Sequence, residues 1–527
     1  MDDVVLRGPL IADGTGAPAY RADVSIKDGV IASIGEGLSA TRSIDAGGLV
    51  LAPGFIDMHS HSDLRVLAEP DHLAKVSQGV TTEVLGQDGL SYAPVDDEVL
   101  ATLRGQLAGW NDDPPGFDWN WRSVGEYLDR LDRGIAVNAA YLVPQGTLRM
   151  LVVGWDDRPP TESEMDRMRT VLAQSLAEGA MGMSSGLTYT PGMYAGTSEL
   201  VQLCEVVGQH GGFYSPHHRS YGAGALEAYA EMVDVTTRAG CALHLAHATM
   251  NFPVNKGKAP ELLTLLDDAI ARGADISLDT YPYLPGATYL SALLPSWATE
   301  GGPERALARL SDVDTRERIR AEIEDTGSDG CHGVPVDWDS IEINGVRNDR
   351  NAHLVGASVQ QSASRLGRPP ADLYFDVLVD ERLGTSCLMH VGHEENVQAI
   401  MKHPAHTGGS DGLLVGDRPH PRAWGTFPRY FARYVRELGV LSLEECVEHL
   451  TGRAARRLRL TDRGLVREGY AADLVLFDAA TIADTATFDE PRQQAAGIPF
   501  VFCNGVPVID DGTATGAVPG HSLRSRP

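Results

Sequence analysis

A chain of 527 residues with 43% hydrophobic and 22% charged residues has the composition of a soluble globular protein, and is too long for one ordinary core. Its 72 acidic residues against 44 Lys and Arg give a formal net charge of −28, which argues against nucleic acid as a partner because such binding rests on neutralising phosphates. No apolar run approaches the roughly 20 residues that span a bilayer, so a small-molecule substrate is expected, with no membrane and no nucleic acid. An anionic substrate would need local positive charge, from a metal or from particular arginines, to offset the acidic field.

The opening Met1-Asp2-Asp3 is acidic and not basic-then-apolar, so secretion is not expected. Its six cysteines (Cys204, Cys241, Cys331, Cys387, Cys446 and Cys503) form no close pair, as reduced thiols of a cytoplasmic protein would not. A homo-oligomeric state is compatible with all of this. Residues 1–52 alternate short β-type runs with turns: Val4-Val5-Leu6, then Asp23 to Ile26, Asp28-Gly29, and Val30 to Ile34. Asp-Gly between alternating runs predicts a hairpin. Residues 466–527 repeat this style at Ala472–Phe477 and Phe500–Ile509, so both termini are expected to build one small β-sandwich.

Between them, over 53–465, short apolar runs alternate with helical stretches, the pattern of a parallel α/β architecture. Eight strands are expected at 54–60, 81–87, 135–143, 180–185, 212–217, 242–247, 275–281 and 406–410. Helices fall between most of them, such as 161–177, which opens with Thr161 and Glu164 in capping-box spacing, and 225–239. Ser442 and Glu445 repeat the capping-box spacing after the last strand. Eight βα units predict a (β/α)8 TIM-type barrel. The gap after strand 7 is too long for one helix and loop, so an inserted subdomain is expected at about 284–350.

In such a barrel the chemistry lies at the C-terminal ends of the strands. Strand 1 ends in His59-Ser60-His61, whose i and i+2 imidazoles would share one strand face. Strand 2 ends in Gln87-Asp88, strand 5 in His217-His218-Arg219, strand 6 in His247, strand 7 runs into Thr280-Tyr281-Pro282-Tyr283, and strand 8 ends in Ser410-Asp411. Four histidines and two carboxylates suit one or two divalent cations with mixed N/O ligands, zinc first among them. His218 points away from His217 in a strand and reads as packing, as does His244, three residues from His247. Ser184-Ser185-Gly186 reads as a tight turn lining the site, not as a nucleophile elbow.

Taken in order, Pro53–His61, Ser77–Thr82, Met183–Tyr189, Gly409–Gly412, His420–Arg429 and Arg467–Val475 resemble the amidohydrolase superfamily, and within it the D-aminoacylase (N-acyl-D-amino-acid deacylase) family. The resemblance implies a metal-dependent barrel beside a β-sandwich, and zinc-dependent hydrolysis of the amide bond of N-acyl-D-amino acids. It implies that His59 and His61 hold one metal site, that His217 and His247 hold a second, and that Asp411 is the general base. Two positions depart from the family. Gly86-Gln87-Asp88-Gly89 stands where the family has a metal-binding cysteine. No lysine stands near the end of strand 4, where related enzymes carry a carbamylated bridge, which leaves Asp88 as the candidate bridging ligand. Thr249 occupies the place of a family lysine that pairs with the substrate carboxylate, so Arg219, Tyr283 and Arg422 become the candidates for substrate binding.

Two other readings compete. A cyclic amide or imide hydrolase, or a D-residue dipeptidase, could use the same metal centre. A non-catalytic scaffold of the same fold would not need the complete set of ligands that this chain carries.

Overall fold

The computed structural model describes residues 2–525. Eight strands form one sheet in chain order: β1 (Phe55–Asp57), β2 (Val80–Leu85), β3 (Asn138–Pro144), β4 (Gly182–Gly186), β5 (Phe213–His217), β6 (Ala242–Leu245), β7 (Ile276–Thr280) and β8 (His406–Gly408). Every adjacent pair is parallel. The strands are buried on both faces because helices cover the outside, and this includes the polar Thr81, Thr82 and Glu83 of β2 and Ser184 and Ser185 of β4. The sheet closes between β8 and β1: Met58 N–H donates to Gly408 O at 3.0 Å, Asp411 N–H donates to His59 O at 2.8 Å, and Ser60 bridges Gly412 in parallel register. This is the expected TIM-type barrel.

The expected helices are present with their caps. Glu162–Ala177 and Leu443–Leu450 both start from complete capping boxes, at Thr161 and Ser442. Ala225–Ala239 ends on Gly240 in the left-handed region (φ 63°), where glycine meets no Cβ penalty. Among the described residues no helix is long and apolar enough to cross a membrane.

Both chain ends meet in a seven-stranded sheet, in which Val50–Pro53 pairs antiparallel with Leu474–Phe477. A four-stranded sheet of N-terminal strands includes the expected hairpin, Asp23–Lys27 against Val30–Gly35. Gly54 alone separates the terminal sheet from β1. A Cβ there would lie 2.2 Å from the Thr81 side chain, so only glycine lets the chain turn this tightly from one layer into the other.

The insertion is larger than the expected 284–350. Its four-stranded sheet joins Gly286–Tyr289, Ile341–Gly345, Ala357–Ser358 and Ser386–Met389, so it continues to Met389 and has its own apolar core. The second half was missed because Ser386–Met389 is a central strand too short to stand out from its surroundings.

Phe55 joins the layers. Its ring lies 5.7 Å from Phe427 and 5.3 Å from Phe431, both after β8, and 6.2 Å from Phe477 of the terminal sheet. Phe55→Ala should therefore destabilise the protein by about 3–5 kcal/mol, seen as a lower midpoint in urea unfolding.

Candidate metal centre

Residues His59, Ser60 and His61 lie just past β1 and not within it, as a strand reading of the pair would have them. The two imidazoles nevertheless face one point, with Nε2 atoms 3.3 Å apart. Asp411 Oδ1 is 3.1 Å from His61 Nε2 and 3.6 Å from His59 Nε2. Across the barrel mouth His217 Nδ1 and His247 Nε2 are 3.0 Å apart.

Asp88 lies between the two clusters. Its Oδ1 is 3.5 Å from His59 and 3.4 Å from His247, and its Oδ2 is 3.5 Å from His61 and 3.4 Å from His217. His59, His61, Asp88 and Asp411 form one potential ligand group, and Asp88, His217 and His247 a second that shares the aspartate. Ligand atoms about 2.0–2.1 Å from a tetrahedral zinc are about 3.3 Å from one another. The observed spacings match that edge length. Asp88 Oδ1 is buried with no hydrogen-bond partner, an acceptor that a cation would satisfy. The donor set, neutral imidazoles with carboxylates, suits zinc and other borderline divalent ions.

The outer imidazole nitrogens are held by hydroxyls. Thr188 Oγ1 lies 2.7 Å from His217 Nε2, and Tyr221 OH lies 3.0 Å from His247 Nδ1. Such contacts fix ring orientation and tautomer. Asp279, on β7, accepts the His247 N–H at 3.0 Å and lies 3.1 Å from His244 Nε2, so His244 supports the floor of the site and does not face the mouth. His218 is buried against the rings of Tyr229 and Tyr221, as its alternation with His217 predicts.

Three of these residues sit in the left-handed backbone region: Asp88 (φ 54°), His247 (φ 31°) and Asp411 (φ 49°). Aspartate tolerates this conformation; histidine does so less readily, and strain of this kind gathers at functional sites. Burial pushes the Asp88 carboxyl up, but His59, His247 and His217 hold it well below the usual carboxylate range. Burial also pushes Asp411 up. The Arg422 guanidinium, the His61 contact, His59 and His247 outweigh it and hold Asp411 below that range, so both carboxylates stay ionised.

Of the three substrate-binding candidates, none lines the cavity at the centre. Arg219 is committed elsewhere: Nε donates to Glu231 at 2.8 Å and Nη1 to the Met193 carbonyl at 3.2 Å. Tyr283 is buried behind the wall, 5.1 Å from the His420 ring and under the Arg429 guanidinium at 4.6 Å. Both tyrosines lie past the end of β7, and Tyr281 lines the cavity wall in its place. Arg422 is fully buried beside the centre, with Nη1 2.9 Å from Asp411 Oδ2 and its guanidinium 4.6 Å over the Tyr281 ring. It orients Asp411.

The cavity holds about 80 Å³, with Trp110, Tyr189, Phe252 and Leu413 among its walls. The Trp110 ring is 4.6 Å from His61. A larger cavity of about 850 Å³ adjoins it and shares Thr188, Tyr189 and Ala292.

Sequence reasoning missed the support beneath the first histidine pair. Lys75, wholly buried, donates to Asp57 Oδ2 at 2.6 Å, to Ser410 Oγ at 2.9 Å and to Ser60 Oγ at 3.1 Å, and pairs with Glu83 at 3.0 Å. Glu83 also accepts from Ser60 at 2.7 Å and lies 2.7 Å from His72 Nε2. Asp57 accepts the Ser410 N–H at 2.8 Å. These charges pin both sides of the β1–β8 seam from which His61 and Asp411 emerge. Charged residues inside an apolar run (Asp57, Glu83) were the available signal. Removing one partner leaves the others buried and unpaired, so Lys75→Met should cost about 3–5 kcal/mol, measurable as a lower urea midpoint even without metal.

A family model described as "Amidohydrolase family" matches residues 42–509. The chain is 34% identical over 530 aligned residues to a D-aminoacylase of Alcaligenes xylosoxydans xylosoxydans, covering 99% of this chain and 97% of that relative. It superimposes on a solved D-aminoacylase described as having a binuclear metal centre, with a TM-score of 0.83 at 33% identity and full coverage of both chains. An N-acyl-D-glutamate deacylase of Bordetella bronchiseptica, solved with zinc and a phosphonate mimic of the tetrahedral intermediate, also gives 0.83 at 33% identity, with 99% of each chain covered.

Proposed function

The chain belongs to the amidohydrolase family, and from that premise we propose that it is a zinc-dependent deacylase that hydrolyses the amide bond of N-acyl-D-amino acids, releasing a carboxylate and a free D-amino acid. The observation that carries this is Asp88, whose two oxygens face two histidine pairs at metal-ligand spacing beside an ionised Asp411. A cytoplasmic setting fits six cysteines that are all free.

In this reading His59, His61, Asp88, His217 and His247 hold one or two divalent ions, zinc or another. A divalent ion held by these residues would supply Lewis acidity toward the scissile carbonyl and toward a water. The chain's own residues do the rest. Asp411 presents Oδ1 to the mouth while Arg422 grips Oδ2, which aims the carboxylate and keeps it ionised. It accepts the proton of the attacking water and returns it to the departing nitrogen, since the amine must leave protonated. Tyr281, whose phenol burial pushes up to about 12, stays a neutral donor on the wall. Trp110 and Tyr189 narrow the mouth and limit bulk water around the reacting amide.

A second reading draws on one observation: no Lys or Arg is among the residues that line this cavity. A neutral cyclic amide or imide, or a D-residue dipeptide, would suit such a wall. Assaying zinc-loaded protein on N-acetyl-D-methionine beside hydantoins, dihydroorotate and D-dipeptides decides between them; turnover of the cyclic or dipeptide substrates alone would overturn the deacylase reading. A scaffold role is disfavoured by the complete ligand set and would be supported by a protein with no affinity for zinc.

Asp411→Asn should lower kcat by about 10²–10⁴ while metal content, measured by inductively coupled plasma mass spectrometry, stays unchanged. Because Asp88 faces both histidine pairs, Asp88→Ala should lower occupancy at both, whereas His217→Ala should lower occupancy at the second group only. Dialysis against a chelator should abolish turnover, and added zinc should restore it.

A further inference from the structure

Beneath the metal centre a column of buried polar side chains runs down the barrel, and the mechanism above uses none of it. Ser277 and Asp279 are two residues apart on β7 and share one face of the strand. His244, on the neighbouring β6, bridges them: its Nε2 is 3.1 Å from Asp279 Oδ2 and its Nδ1 is 2.7 Å from Ser277 Oγ. Arg457, at the end of the helix Gly452–Arg457, donates Nε to Ser277 Oγ at 2.6 Å and Nη2 to Asp275 at 2.6 Å. Asp275 precedes β7 and is exposed, so the column reaches from the mouth of the barrel to its opposite end.

At its upper end the two oxygens of Asp279 meet both ligand groups. Oδ1 accepts the His247 N–H at 3.0 Å, and the Asp279 carbonyl accepts the Ala248 N–H at 2.6 Å. Together they bracket the left-handed backbone at His247 (φ 31°), a conformation that persists only where its surroundings hold it. Oδ2 lies 3.8 Å from His59 Nδ1, a buried nitrogen without a hydrogen-bond partner. His59 turns Nε2 toward Asp88 and Asp411, so binding a cation there leaves the proton on Nδ1, and Asp279 is the carboxylate that this proton faces.

The hydrogen bonds of the column have one possible direction. An arginine only donates, so Ser277 Oγ accepts from Arg457 and has its hydroxyl proton left for His244 Nδ1. Burial lowers the pKa of His244, which makes it a neutral imidazole with a single N–H. That N–H must then be on Nε2, where Asp279 accepts it. Burial pushes the Asp279 carboxyl up, and the contacts with His244 and His59 outweigh it, so it stays ionised.

We propose that Asp279 is a positioning residue for both metal-ligand groups, and that Arg457, at the far end of the barrel, sets the His244 tautomer that holds it; the proposal rests on the metal-ligand reading above. Asp88 would then hold the His59 and His247 rings from the mouth, and Asp279 from below.

The test is zinc affinity of the full-length protein, measured by competition with a chromophoric chelator, beside the urea midpoint without metal. Asp279→Asn should bind zinc about 10–100-fold more weakly at every equivalent bound. His244→Gln keeps an N–H near the place of Nε2 and should retain the natural affinity. His244→Asn, whose amide reaches only the place of Nδ1, should weaken binding as Asp279→Asn does. Ser277→Ala removes one hydrogen bond from the column and should weaken binding about 2–10-fold; it and the His244 pair carry the test if Asp279→Asn does not fold. Natural affinity in Asp279→Asn or in Ser277→Ala would overturn the proposal. So would equal losses in the two His244 variants that follow their urea midpoints, since packing would then explain them. A natural protein without affinity for zinc would instead remove the metal-ligand reading, and this proposal with it.

Discussion

The buried ammonium of Lys75 is the interaction on which the rest of the centre depends. A parallel barrel must close between its first and last strands, and here β1 and β8 are only three residues each. Few backbone hydrogen bonds can form across so short a seam. Lys75 supplies what the backbone cannot, by binding Asp57 at the end of β1 and Ser410 just after β8. Its charge is costly to bury alone and becomes tolerable only because Asp57 and Glu83 surround it. The same group of charges therefore cannot be dismantled singly. Whatever loosens it loosens the segments carrying His59, His61 and Asp411.

A second tier of charge rests on that one. Asp88 and Asp411 face imidazoles across a few ångströms, and Asp279 ties His244 to the backbone of His247 from below. Carboxylates so buried would ordinarily take up protons. Imidazoles and the Arg422 guanidinium keep Asp88 and Asp411 ionised instead, which leaves a cluster of donors with the spacing of a coordination sphere. The left-handed backbone at Asp88, His247 and Asp411 indicates that the surrounding barrel over-determines this geometry.

Much of this was legible in the sequence, for reasons that differ by residue. The eight strands were readable as short β-type runs alternating with helical stretches, and the site was readable because histidines and carboxylates gather at their C-terminal ends. His59, His61, Asp88, His217, His247 and Asp411 all stand at such ends, and the structure brings them to one point. Tyr283 lies past the end of β7, where no strand alternation fixes the side it faces, and the cavity wall takes Tyr281 instead. Arg219 was misread because its partner, Glu231, lies on the following helix, and ion pairing across a loop leaves no local pattern. Lys75 lies on a four-residue helix whose burial follows from the barrel seam, which no window of sequence reveals. The insertion was seen as a gap but not as a sheet, since antiparallel strands far apart in sequence carry no shared periodicity.

The division of labour between barrel and insertion follows from these same constraints. Metal-ligating and proton-transferring groups need fixed geometry, and they stand on strand ends tied by backbone and buried charge. The cavity wall beside the centre draws Leu293, His332 and Met389 from the insertion, which packs around a separate apolar core. Changes there can reshape recognition without disturbing the seam beneath the histidines. The short contacts from Thr188 and Tyr221 to the second histidine pair are where the two tasks meet. Both side chains orient a ring and also line the substrate cavity, so substitution at either couples specificity to the centre itself.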